Sequence, residues 1–143
     1  VYLRIKSQNP AMTEVLSEVS AEPEVIDWDK ALEQCDGDEE FTCELLNDLK
    51  EESTTNYSQI KDALENTPEG WPDLIRRAGH AIKGAAATLH CEELRAAACE
   101  LEARAKPACP DGSPEDLDEL TQLAVGLHTA LSHYLSFLEA KGI

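Results

Sequence analysis

The chain has 143 residues, with 29 acidic side chains against 12 basic ones, a formal net charge of −17. A surface this acidic repels nucleic acid and anionic membranes, which need Lys and Arg to replace counterions, while it accepts protein partners with basic or apolar patches or serves solubility alone. Apolar residues make up 42% and aromatic ones only 5%, a balance that favours helices over sheets in one domain with a real core.

Residues 1–26 read as a flexible, acidic lead-in. The stretch before Met12, VYLRIKSQNPA, is unlike the acidic remainder and is either native or an added leader with Met12 as the natural start. The domain proper is expected over 27–143. A short helix near 28–35 stops at Asp36-Gly37. A long helix comes next over 38–66, with Phe41, Leu45, Leu49, Tyr57, Ile60 and Leu64 on one predicted stripe. The third helix spans 71–90 and opens with Pro72, suited to a first turn. The fourth covers 92–106, with Leu94, Ala98, Leu101 and Ala105 spaced 4, 3, 4. The last, 114–140, has Ser113, Pro114 and Asp116 as capping signals, then an apolar seam through Leu117, Leu120, Ala124, Leu127, Leu131, Tyr134 and Leu138. The fold class predicted is all-α: an antiparallel four-helix bundle with the short N-terminal helix covering one end.

Cys35, Cys43, Cys91, Cys99 and Cys109 form no C-x-x-C pair and no zinc-type spacing with histidine. Reduced thiols and a cytoplasmic or nuclear location are expected. There is no signal-peptide pattern and no apolar run of about 18 residues.

The chemistry concentrates in the third helix. Ile75, Ala78, Ile82, Ala85 and Leu89 define its buried stripe. At about 100° per residue, His80 points roughly opposite that stripe, toward solvent. Lys83 and Gly84 lie one turn further along the same face, Ala87 another turn on, and Arg76 and Arg77 one turn before. The face offers a nucleophile, a cation and two residues with little or no side chain. Glycine in a helix interior costs about 1 kcal/mol relative to alanine, so Gly84 suggests close approach of another molecule. Neutral imidazole is a good nucleophile near neutral pH and forms a high-energy phosphoramidate. A lysine beside it places positive charge next to phosphoryl oxygens. No Walker loop or kinase-type glycine loop is present, so the chain holds a phosphoryl group without drawing one from ATP.

His80, Lys83 and Gly84 in HAIKGAAATL resemble the H-x-x-K-G signature of histidine-containing phosphotransfer (HPt) domains. The likeness extends over Asp27–Ala140, including Asp27-Trp28, the Gly37-Asp38-Glu39-Glu40 run and the Leu94…Leu101 helix. It implies that His80 accepts phosphate from the aspartyl phosphate of one receiver domain and passes it to the aspartate of another. It implies that Lys83 positions the phosphoryl group and that Gly84 leaves room for the receiver. The Mg²⁺ of such transfers belongs to the receiver, so no cofactor or metal site is expected on this chain. The implied partners are receiver domains of hybrid histidine kinases and response regulators, met by a monomer that binds neither nucleic acid nor membrane. Arg76 and Arg77 either meet the receiver or balance acidic neighbours. Phe41, Leu45 and Leu46 are more apolar side chains than one buried stripe requires, so Leu46 is expected at the surface as a receiver contact. Where the family usually has glycine ten residues after the histidine, this chain has His90, which tolerates a left-handed helix end. His90, His128 and His133 are read as structural or surface residues.

Two alternatives come from other classes. One is a non-catalytic helical adaptor that docks receivers without carrying phosphate. The other is a metal-binding bundle, which would need inward Glu-x-x-His pairs, whereas His80 points outward with no Glu three residues before it.

Overall fold

The computed structural model describes residues 24–143; the expected lead-in up to Pro23, with VYLRIKSQNPA, lies outside them. The described residues form five helices and no strand: α1 Trp28–Gln34, α2 Glu39–Asn66, α3 Trp71–Thr88, α4 Glu92–Ala105 and α5 Pro114–Lys141. None is long and apolar enough to cross a membrane.

Local chemistry sets the ends. Asp27 and Asp38 cap α1 and α2 by accepting the N–H of Lys30 and Phe41, at 3.2 and 2.9 Å. Ser113 and Asp116 form a reciprocal capping box at α5, both bonds 2.9 Å. The start of α4 has no side-chain cap; the Glu24 carbonyl accepts the Glu93 N–H instead, at 2.9 Å. His90 adopts φ +57°, so the left-handed turn forms without glycine, and its carbonyl accepts the Asp27 N–H at 3.0 Å. Residues 24–27 therefore lie along the α3–α4 turn. From there α1 closes that end of the bundle, where Lys141 of α5 sits 3.9 Å above the Trp28 ring.

The four long helices form a closed ring in which α3 packs on α2 and α4, and α5 on α4 and α2. Leu46, Ile60, Ile75, Ile82, Leu94, Leu101, Leu120, Leu127 and Leu138 are fully buried between them. Tyr134 is buried as well, and its hydroxyl donates to the Leu46 carbonyl at 2.6 Å. At the opposite end the loop between α4 and α5 is pinned beneath α3: Trp71 Nε1 donates to Asp111 O at 3.0 Å.

The buried seam of α2 differs from the predicted stripe. It runs through Thr42, Leu46, Leu49, Ser53, Ile60 and Ala63, while Phe41 is 46% exposed and Leu45 half-buried. Leu46 is therefore a core residue and not a receiver contact. The cause is polar seam residues. Thr42 is buried at no hydrogen-bond cost because its hydroxyl donates to Asp38 O at 2.7 Å, and Ser53 is small enough to bury although its hydroxyl has no partner. In α3 a smaller shift places Ala86 in the core and Ala85 at its margin.

Candidate functional site

Gly79 is the residue of α3 on which the site is built. It is buried against α4, and a Cβ there would lie 3.4 Å from Ala98 O, 3.5 Å from Glu102 N and 3.6 Å from Glu102 Cβ. A residue this small lets the two helices approach closely, which brings Glu102 of α4 beside the outward residues of α3.

Glu102 joins the two predicted site residues. Its Oε2 accepts from His80 Nδ1 at 2.8 Å and its Oε1 accepts from Lys83 Nζ at 2.6 Å. The residue is 8% exposed. The Lys83 ammonium, and after it the His80 hydrogen bond, hold the Glu102 carboxyl below the usual carboxylate range; Glu102 in turn holds Lys83 above the usual lysine value. The carboxylate is thus ionised and can only accept, so the proton of a neutral His80 ring belongs on Nδ1 and the lone pair on Nε2. The His80 side chain is 64% exposed, and Nε2 makes no hydrogen bond among the described residues. The unpartnered nitrogen thus belongs to a ring that is largely exposed.

The surrounding face is bare. Gly84 is exposed, and a Cβ built on it has nothing within 4 Å. Ala87 is exposed one turn beyond. Arg76 and Arg77 lie before His80, both paired with Asp73, at 2.8 and 3.1 Å; of the two readings, the balancing of an acidic neighbour is the contact observed. Beside Gly84 a shallow cleft between α2 and α3 is lined by Leu45, Asp48, Glu52, Ala85 and Thr88. Charge is also uneven. α3 carries only Asp73 against Arg76, Arg77 and Lys83, whereas α2 carries eight acids against Lys50 and Lys61.

The other histidines keep different company. His133 on α5 pairs with Glu93 of α4 at 2.7 Å, His128 stacks against Tyr57 with ring centroids 5.3 Å apart, and His90 is the helix-end residue at the α3–α4 turn. Neither His128 nor His133 is among the residues that Glu102 brings together. All five cysteines are unpaired thiols, and burial pushes that of Cys91 up to about 12, so it stays protonated.

Glu102 escaped the sequence reading. Its one signal is position: an acid four residues after Ala98 and next to Leu101, on the margin of the α4 apolar seam.

A search of curated proteins returns no match to this chain. A protein-family comparison matches residues 44–133 to the Hpt domain, a span that holds the site and most of the bundle. With an exposed histidine on the outer face of an all-helical bundle and that match across more than half its length, the chain belongs to the Hpt domain family, the histidine phosphotransfer carriers of two-component phosphorelays that work with receiver domains.

Proposed function

We propose that His80 is the phosphoacceptor, taking a phosphoryl group from the aspartyl phosphate of one receiver domain and delivering it to the aspartate of a second. The observation that carries this is the His80–Glu102 pair: Nδ1 is held at 2.8 Å by a buried carboxylate while the side chain as a whole is largely exposed. In the forward step the Nε2 lone pair attacks phosphorus, the bond from phosphorus to the aspartyl oxygen breaks, and the carboxylate leaves with its electron pair. The Nδ1 proton stays against Glu102. In the second step the nitrogen–phosphorus bond breaks toward the next aspartate and the electron pair returns to Nε2.

Lys83 supplies positive charge beside the incoming oxygens, shared with Glu102. Gly84 and Ala87 admit the receiver backbone close to His80. The receiver contacts the bare face of α3 and reaches across the adjacent cleft toward Leu45 and exposed Phe41 of α2, which take the place given to Leu46, with Arg76 and Arg77 at the other margin. Mg²⁺ is supplied by the receiver. The carrier has no autokinase activity, in keeping with the lack of any glycine-rich nucleotide loop in its sequence.

The test is incubation of wild type and His80→Gln with a phosphorylated receiver domain and Mg²⁺, followed by mapping of the label. His80→Gln should fold normally, since the side chain is outside the core, and should accept no phosphate, because an amide nitrogen lacks a nucleophilic lone pair. The wild-type label should be lost in acid and survive mild base. Acceptance by His80→Gln at the wild-type rate would refute the assignment. Receiver binding by wild type with no transfer would identify the chain as a docking adaptor.

A further inference from the structure

We propose that Glu102 keeps the phosphorylated state of His80 short-lived, by holding a negative charge against the acceptor ring and by engaging the Lys83 ammonium. This deepens the phosphocarrier function proposed for His80 and rests on it.

The groups around the ring come from two helices. On α3 they are Lys83, bound to Glu102, and Arg76 and Arg77, both bound to Asp73. On α4 they are Glu102 itself, with Cys99 and Arg95 close enough to act on Lys83, and Arg95 is bound to Glu92. Each of the four cations is already paired with a carboxylate. A phosphoryl group on Nε2 therefore meets a compensated lysine instead of a free one, with the Glu102 charge on the far side of the same ring. Glu102 is 8% exposed and rises from the stretch of α4 that rests on Gly79. Its charge is thus built into the helix contact rather than carried on a mobile surface side chain.

The ring chemistry points the same way. With phosphorus on Nε2 and a proton on Nδ1, the ring is an imidazolium, and a carboxylate 2.8 Å from Nδ1 favours keeping that proton in place. When water attacks phosphorus, the nitrogen–phosphorus bond breaks, its electron pair returns to Nε2, and the ring departs as neutral imidazole with Nδ1–H intact. The water oxygen becomes the fourth oxygen of dihydrogen phosphate and keeps both its protons on that product. Attack by a receiver aspartate uses the same leaving group. An imidazolium bearing phosphate thus parts with it more readily than a neutral ring would. A glutamine at 102 would still accept the Nδ1 hydrogen bond, but it would free Lys83 for the phosphoryl oxygens and hold the ring proton less firmly.

The experiment compares wild type with Glu102→Gln, both phosphorylated on His80 by phosphoramidate, freed of donor, and monitored by phosphorus NMR of the nitrogen–phosphorus signal across pH. Glu102→Gln should lose its phosphoryl group about five- to tenfold more slowly at neutral pH, the scale of one partly buried charge pair. Its acid-accelerated limb should begin at lower pH. Equal lifetimes and superimposable profiles, with His80 labelled in both, would overturn the role of Glu102 and leave the carrier reading intact. If wild type forms no nitrogen–phosphorus bond at His80 with phosphoramidate or with a phosphorylated receiver, the carrier reading itself fails. Should Glu102→Gln not fold, Glu102→Asp, which withdraws the carboxylate by one methylene, takes its place: a longer lifetime supports the role and an unchanged one overturns it.

Discussion

Substitution at Gly79 separates the stability of the bundle from the geometry of its site. Alanine there removes the helix cost of glycine, about 0.5–1 kcal/mol. Its Cβ would sit 3.4–3.6 Å from three atoms of α4, ordinary contact distances that add a few tenths of a kcal/mol each at most. Gly79→Ala should therefore be stabilised by about 1 kcal/mol, with His80 still paired to Glu102. Leucine adds three more heavy atoms with no space to take them, an overpacking cost of about 1–3 kcal/mol. The nearest atoms that must yield include Glu102 N and Cβ, so relief moves Glu102 away from His80 and Lys83. Gly79→Leu should be less stable than Gly79→Ala and should transfer phosphate abnormally, while alanine transfers normally. Urea unfolding gives the first quantity and single-turnover transfer from a phosphorylated receiver the second. If Gly79→Leu matched Gly79→Ala in both assays, close approach at Gly79 would not be what positions Glu102; a Gly79→Ala variant destabilised by more than about 1 kcal/mol would show that the contact leaves no room even for a methyl group.

Lys83→Ala should slow transfer about ten- to a hundredfold without abolishing it, as expected for one charge-assisted contact made in the transition state; rapid-quench transfer kinetics measure this. Gly84→Gln should weaken receiver binding while leaving the unfolding midpoint unchanged or higher, because the added side chain points into open space; calorimetric titration with a receiver checks it. Gly112→Ala should lose at least about 2 kcal/mol in urea unfolding, since it forces a side chain onto φ +70° with its Cβ 2.2 Å from the Trp71 ring and displaces the Trp71–Asp111 hydrogen bond. Arg104, and then the Ser113 N–H, hold the Asp116 carboxyl below its usual value. A lowered folded-state value contributes stability that is present above the unfolded value, about 3.9, and lost as pH falls through the folded one. Asp116→Asn should accordingly show a shallower loss of urea midpoint below about pH 4 than wild type.

The bundle and the outward histidine were legible because local signals agreed. α5 combines a capping box with an unbroken apolar spacing, and the α3 stripe leaves His80, Gly84 and Ala87 together on the opposite side. The buried seam of α2 departs from the predicted stripe at Phe41, Leu45, Tyr57 and Leu64 and shares Leu49 and Ile60 with it, because hydrophobicity is a poor guide where small or self-satisfied polar side chains enter a seam. Thr42 bonds to its own helix, Ser53 is small, and Phe41, the most apolar residue nearby, lies outside the seam. Glu102 was not legible because its role depends on the register of α4 against α3. A glutamate on the edge of an apolar seam reads as a solvated acid until Gly79 is known to admit its helix.

Because α3 is net positive while α2 is strongly negative, the charge of the described helices is uneven, and the helix that bears His80 is the least negative side of a strongly negative chain. Two copies approaching with their α2 helices repel each other. A partner with an acidic docking face experiences a torque that turns α3 toward it before contact. The orientation needed for an encounter is thus partly set at a distance, over a range of about a Debye length. Added salt shortens that range and also screens the repulsion between this chain, of net charge −17, and an acidic partner, so it should weaken the orientational bias of the encounter more than it changes the rate at which partners separate.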